Sequence, residues 1–274
     1  MTSIATPKIC VLRESLDNMG FLPYFKASGT RLYLLCTVLS MSWFAGSSFE
    51  DSVVLSSLDG ANGFIAYGTE NYEISGYSVS GAGDINGDGY DDVIIGAPTT
   101  KAVSSTGSAF VVFGGVTASP WLIVDQLDGT NGFVLKGITE SDAAGSSVSA
   151  AGDINGDGYA DLLIGAPTAA GAGDLTPSSG ETYVVFGGPA IGSSGSVELS
   201  SLDGANGFTI FGVDMLDQSG CSVASAGNFN GDAYADIIIG AVNSKGQSNT
   251  AIQAGECYVI YGSASIGENG TFAL

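Results

Sequence analysis

A single motif returns three times along this chain, and its intervals set the size of the building unit. Residues 58–64 read LDGANGF, residues 127–133 read LDGTNGF and residues 202–208 read LDGANGF, at spacings of 69 and 75. An acidic stretch keeps step with it: residues 84–92 read DINGDGYDD, 153–161 read DINGDGYAD and 228–236 read NFNGDAYAD. Two motifs that share both intervals mean that one supersecondary unit of roughly 70 residues has been copied. Its copies lie near 76–144, 145–218 and 219–274.

Four strands are predicted in each copy. The first spans 77–82, 147–151 and 221–226, and the second opens at the end of the acidic loop, as DVIIGAP from Asp92, DLLIGAP from Asp161 and DIIIGAV from Asp236. The third follows a variable loop, as AFVVFGG from Ala109, TYVVFGG from Thr182 and CYVIYG from Cys257. The fourth is the GFIAYG, GFVLKG or GFTIFG that follows the LDGxNG turn. Unbroken apolar second strands require burial on both faces. Short meanders achieve this by stacking face to face, so the fold class is all-β, a β-propeller-type array of four-stranded blades. The first GFIAYG is a fourth strand with no blade before it, and an alternative place for it is the third blade, which lacks its own. Three blades are too few for an ordinary closed ring. The expectation is an incomplete propeller, open at its edges and able to self-associate through them.

The acidic loops carry the chemistry. In the second copy Asp153, Asn155, Asp157 and Asp161 occupy positions 1, 3, 5 and 9, with Gly158 at 6 and Tyr159 at 7. Oxygen side chains at alternate positions of a tight loop point at one centre, Gly permits the turn, and the position-7 carbonyl adds an oxygen. The first copy supplies Asp84, Asn86, Asp88, Tyr90 and Asp92 in the same places. An all-oxygen cage suits calcium (Ca2+) better than the strictly octahedral magnesium. An EF-hand starts alike but needs a bidentate acid at position 12, where this chain has Ile95, Ile164 and Ile239. The acid at position 9 must close the site instead, inside a strand-loop-strand hairpin. The third copy offers Asn228, Asn230, Asp232, Tyr234 and Asp236. There Asn228 replaces an acid and Ala233 replaces the turn glycine, so weaker binding is expected. Asp59, Asp128 and Asp203 of the LDGxNG motif read as turn residues.

Composition narrows the function. Histidine is absent from all 274 residues, which removes His-based triads, His general bases and His metal sites together. No nucleophile motif replaces them, so a non-catalytic role is expected. The net charge of -21 comes from 28 acidic and 7 basic residues, and such a surface repels nucleic acid and anionic membranes. Cys221 and Cys257 fall on the predicted first and third strands of one sheet, too far apart to bridge, and two buried thiols are the preferred reading. Residues 32–46 (LYLLCTVLSMSWFAG), behind Arg31, have the length of a signal-peptide core, with cleavage after Ser47 and an alternative start at Met19. A buried helix or strand is the competing reading of that run. In the first case residues 1–47 are removed, the mature chain has no membrane-inserted segment, and 48–274 form the repeat array.

These loops, each followed by a strand ending in Gly96-Ala97-Pro98, Gly165-Ala166-Pro167 or Gly240-Ala241-Val242, resemble the FG-GAP repeats of the integrin α-subunit β-propeller and its bacterial relatives. The Phe-Gly of the family name is reduced here to Ser75-Gly76, Ala144-Gly145 and Ser219-Gly220. The resemblance implies calcium in the hairpin between first and second strands, and a secreted or cell-surface protein serving adhesion or recognition of an extracellular protein or glycan. It also implies seven blades, of which three loop copies would be a fragment. An accessory segment of a larger secreted hydrolase and a plain structural spacer are the alternatives. Recognition would use the variable loops 99–108, 168–179 and 242–254.

Overall fold

Each acidic loop joins two strands of a hairpin, and the hairpins recur with the sequence period. A computed structural model describes residues 54–69, 73–99, 106–115, 119–246, 251 and 253–274. The segment 32–46, Cys10 and Cys36 lie outside the described residues, as does much of the loops 99–108 and 242–254. All strands belong to a unit formed by residues 60–274. After β1 (Ile65–Tyr67), the first copy contributes β2 (Ser78–Gly83), β3 (Asp92–Ala97), β4 (Ser108–Val112), β5 (Trp121–Ile123) and β6 (Gly132–Lys136). The second contributes β7 (Ser147–Gly152), β8 (Asp161–Ala166), β9 (Glu181–Val185), β10 (Ser196–Glu198) and β11 (Gly207–Phe211). The third contributes β12 (Ser219–Gly227), β13 (Asp236–Ala241), β14 (Glu256–Ile260) and β15 (Thr271–Ala273).

The four predicted strands of a blade are present and antiparallel, in the orders β2-β3-β4-β6 and β7-β8-β9-β11. Each of these two sheets gains a fifth strand from the copy that follows. β10 lies parallel to β6 and β15 parallel to β11. The fifth strand covers an edge that would otherwise expose a row of unpaired backbone groups, and it ties each blade to the next unit. The third sheet, β12-β13-β14, has three strands among the described residues. β1 does not complete it. β1 pairs in parallel with β5, as Ile65 opposite Trp121 through Tyr67 opposite Ile123, because β5 is the first copy's version of β10 and β15.

Blades stack through apolar faces, as the unbroken second strands demand. Ile94, Val111 and Leu135 of the first blade pack with Leu162, Ile164 and Tyr183 of the second. Leu163, Val184 and Ile210 of the second pack with Ile237 and Ile239 of the third. A smaller cluster joins Phe110, Val112 and Leu127 to Phe64 and Ala66 around β1. The glycine that opens each GAP triplet is explained by this stacking. A Cβ on Gly96 would lie 2.1 Å from the Gly145 carbonyl oxygen, and one on Gly165 equally close to that of Gly220. Only Gly lets the backbones of adjacent blades come so near.

The thiols need a correction. Cys221 and Cys257 are unbridged on the first and third strands, but Cys221 is half-buried and Cys257 is exposed. Thr182, the second-blade equivalent of Cys257, is buried beside Gly220 of the third blade, whereas the corresponding face of β14 is open; Cys221 and its equivalent Ser146 are both half-buried.

Candidate metal centres

Each loop begins where the first strand of a blade leaves its partner and ends where the second strand enters. In the first loop Asp84 Oδ1 accepts the N–H groups of Gly87 (2.8 Å) and Asp88 (3.1 Å), and Oδ2 accepts that of Gly89 (2.9 Å). Asn86 Oδ1 accepts the Asp88 N–H at 2.9 Å while its Nδ2 donates to Asp88 Oδ2 at 3.0 Å. Asp88 Oδ1 accepts the Tyr90 N–H at 2.9 Å. Asp92 is buried; its Oδ2 accepts the Ile85 N–H (3.0 Å) and its Oδ1 the Gly114 N–H (2.8 Å) from the turn after β4. The second loop repeats this through Asp153, Asn155, Asp157 and Asp161, bond for bond. Gly89 and Gly158, at position 6, take φ of 90° and 93°, the left-handed region that glycine enters without cost from a Cβ.

Burial pushes the Asp161 carboxyl up to about 7, with the charges of Asp157 and Asp153 adding and the Gly187 and Ile154 N–H bonds opposing. Burial likewise raises that of Asp92, and Asp88 and Asp84 add to the effect. The acids of one loop therefore act on one another electrostatically, although no three acidic side chains among the described residues form a ready-made metal cluster. Asp84, Asn86, Asp88, the Tyr90 carbonyl and Asp92 are all-oxygen donors with three formal charges, and this set fits a hard divalent cation. A cation at the loop would relieve the repulsion that raises the buried acid.

The family described as FG-GAP repeat matches residues 75–112 and 144–185, each match running from before the first strand through the loop to the third strand. The chain is 31% identical to integrin alpha-5 of Xenopus laevis over 198 residues, which cover 70% of this chain and 16% of that protein. It is 26% identical to integrin alpha-PS2 of Drosophila melanogaster over 73% of this chain and 14% of that one. Bovine (Bos taurus) phosphatidylinositol-glycan-specific phospholipase D is 32% identical over 62% of this chain and 19% of its own. This is an FG-GAP repeat protein. It resembles the integrin alpha propeller and spans less than a fifth of the length of each of these three relatives.

Both FG-GAP matches end before the third loop, which departs in geometry as well as in residues. Asn228 Oδ1 accepts only the Gly231 N–H, at 2.7 Å, and its Nδ2 donates to the Asp232 carbonyl. An amide N–H therefore occupies part of the space that a carboxylate lines in the other two loops. Ala233 does not adopt a positive φ, unlike Gly89 and Gly158. Asp236 keeps its buried place, accepting N–H bonds from Phe229 (2.6 Å), Asn230 (3.1 Å) and Gly262 (3.0 Å).

Two features of the FG-GAP units were not read from sequence. The position-7 tyrosines carry a side-chain role besides their carbonyls: a Cβ on Gly87 would lie 2.6 Å from the Tyr159 ring, and one on Gly156 would lie 2.6 Å from the Tyr234 ring. Each ring thus lies on the position-4 glycine of the preceding loop. The second is a buried acid before each first strand, Glu73, Asp142 and Asp217, at the same intervals of 69 and 75. Glu73 accepts the Thr69 N–H at 3.0 Å, Asp142 the Thr139 N–H at 3.2 Å, and Asp217 is raised by burial and by Asp214 and Glu256. Asp128 and Asp203 act as turn residues, accepting the N–H of Thr130 and Ala205 at 2.9 Å, and the Thr130 hydroxyl holds the Asp128 carboxyl below its usual range.

Proposed function

We propose that this FG-GAP repeat protein is a calcium-stabilised, non-catalytic recognition module that works outside the cell or at its surface. The observation that carries the reading is the first two loops, where five oxygen donors at alternate positions surround a turn whose ninth residue is a buried carboxylate. Calcium would be held by Asp84, Asn86, Asp88, the Tyr90 carbonyl and Asp92, and by Asp153, Asn155, Asp157, the Tyr159 carbonyl and Asp161. It would neutralise acids that otherwise repel, and so fix the hairpins on which each blade is built. The third loop would bind more weakly through Asn228, Asn230, Asp232, the Tyr234 carbonyl and Asp236. Recognition of an extracellular protein or glycan falls to the variable loops, because the strands that carry them are buried between blades. Calorimetric titration of the full chain tests the metal reading: two stronger sites and one weaker are expected, with a higher melting midpoint in calcium than in chelator. Identical midpoints would overturn it.

The match to phosphatidylinositol-glycan-specific phospholipase D favours a second reading, an accessory propeller segment beside a separate catalytic domain. The lack of histidine and of a nucleophile motif keeps catalysis itself away from this chain.

A further inference from the structure

The fold builds the same cavity twice. Ser119, Trp121, Leu122, Ile123, Gln126 and Asn131 line a hollow of about 280 Å³ with Val112 at the end of β4. Their counterparts 75 positions on, Ser194, Ser196, Val197, Glu198, Ser201 and Asn206, all line a second hollow of about 650 Å³. That second hollow runs from β10, the fifth strand of the first blade, to Phe186 and Asn206 of the second, and both of those blades are complete. The hollow therefore belongs to the blade edge and not to an end of the array.

What differs is the lining. Serine stands at 196 and 201, where the first cavity has Trp121 and Gln126. Trp121 is 60% exposed, a large apolar ring left in water. This exposure does not come from a missing neighbour: Thr271, which holds the same position on β15, is exposed although the first and second blades are complete. The ring is also firmly carried. Ser119 Oγ donates to the Trp121 carbonyl at 2.7 Å and accepts the Trp121 N–H at 3.4 Å, while the Pro120 carbonyl accepts the Ile65 N–H at 3.0 Å. The backbone that presents the indole is thus held before any ligand arrives. Asn131 is oriented by accepting the Asp128 N–H at 3.1 Å and by donating to the Gln126 carbonyl at 3.3 Å, which uses one of its two amide hydrogens. The Gln126 carboxamide is exposed and has no hydrogen-bond partner among the described residues.

We propose that the Trp121 cavity is a binding subsite for a neutral sugar ring. The indole takes the apolar C–H face of a pyranose, Val112, Leu122 and Ile123 continue the apolar lining, and the carboxamides of Gln126 and Asn131 exchange hydrogen bonds with hydroxyls at the rim of the ring. The volume lies close to the ~300 Å³ lower bound of ligand pockets and suits one ring rather than a buried chain of them. Acidic sugars are disfavoured, because Asp125 and Asp128 flank Gln126, no Lys or Arg lines the cavity, and the net charge is -21. The inference rests on the recognition role proposed above and adds a place for it away from the variable loops.

The test is a printed array of neutral glucose, galactose, mannose and N-acetylglucosamine oligosaccharides beside uronic-acid and sulfated ones, probed with the full chain in calcium. The natural chain should retain a neutral oligosaccharide in preference to the acidic ones. Calorimetry with the neutral oligosaccharide of strongest signal should show W121A binding about tenfold or more weaker, the usual effect of truncating a tryptophan anchor, and Q126A roughly threefold to tenfold weaker for one lost hydrogen bond. S196A, at the matching place in the second cavity, should bind as the natural chain does. Trp121 is exposed, so a melting midpoint close to the natural one verifies the fold of W121A. In chains carrying 5-fluorotryptophan, the fluorine resonance that is absent from W121F should shift when the same oligosaccharide is added to the natural chain, a readout that needs no variant to bind. Failure to retain any neutral oligosaccharide, a preference for acidic ones, full binding by W121A, or an unmoved Trp121 resonance overturns the proposal. Full binding by W121A would leave recognition through the variable loops standing, and the calcium titration is independent of every one of these outcomes.

Discussion

Replacing Gly165 by alanine tests whether close backbone approach between blades holds this array together. The new Cβ would stand 2.1 Å from the Gly220 carbonyl oxygen of the third blade and 2.3 Å from Ser147 Oγ. Ordinary contact begins at 3.4 Å, so the neighbouring backbone must retreat by more than an ångström. The Ser147 hydroxyl donates to that same carbonyl at 2.7 Å and is displaced with it. Overpacking contributes about 1–3 kcal/mol and the broken buried hydrogen bond about 1–3 more, against under ~1 regained from the stiffer unfolded chain. Gly240 is the equivalent residue of the third blade, where a Cβ would meet only side-chain atoms, the nearest being Ser222 Oγ at 2.4 Å, and no neighbouring backbone. Rotation of that serine relieves the clash, so G240A should cost under about 1 kcal/mol. With about 2–4 °C per kcal/mol for a unit of this size, G165A should melt roughly 2–20 °C lower and G240A within about 4 °C of its parent, the larger shift always being that of G165A. The assay is scanning calorimetry in excess calcium. Equal shifts for the two variants, or a G165A shift indistinguishable from zero, would refute the reasoning.

Restoring the third loop with Asn228→Asp and Ala233→Gly should raise its calcium affinity toward that of the other two, read as the loss of the weak phase in calorimetric titration. Tyr159→Ala should lower stability by about 2 kcal/mol through lost burial, while Tyr90→Ala, whose ring is more than half exposed and rests on Gly115, should lower the midpoint by less. Asp161→Asn should abolish one strong calcium site and also lower the midpoint in chelator, because the amide keeps one acceptor where the carboxylate accepts the N–H groups of both Ile154 and Gly187, leaving one buried donor unpaired; an unchanged midpoint in chelator would contradict this. For Asp217 the folded carboxyl lies above the ordinary 3.8, so the ionised form is penalised only when folded. Its contribution to stability therefore grows as the pH falls toward 3.8, and D217N should flatten that rise in melts across the acid range.

Much of the fold was legible because the repeat states it three times. The strand runs, the acidic hairpin loops and the turn role of Asp128 and Asp203 all follow from local residue patterns, and the structure places them where those patterns put them. The fifth strand was not legible. Ser196–Glu198 and Thr271–Ala273 are three residues long, have no apolar alternation to mark them, and pair in parallel with strands of the preceding unit. β1 was hard to place for the same reason, because its partner β5 is one of these short strands.

The tyrosines show why a correct motif can hide half of its meaning. Read as a metal loop, position 7 needs only a carbonyl, so any residue would serve, and tyrosine there has no explanation. The ring is explained by the preceding blade, where the position-4 glycine leaves room for it, and that relation joins residues 72 and 78 positions apart that no local pattern connects. On the proposed reading, calcium binding and blade stacking would meet in one loop. An ion that fixes the hairpin also fixes the carbonyl and the ring of the same tyrosine, one toward the metal and one toward the neighbouring blade. Removing calcium should consequently loosen the contact between blades as well as the loop. Amide exchange would then quicken at Ala160 and Ala235, whose N–H groups donate across blades to Asp84 and Asp153 carbonyls at 3.2 and 2.9 Å. Protection at those two amides that is the same in calcium and in chelator would show that the two roles of the loop are independent.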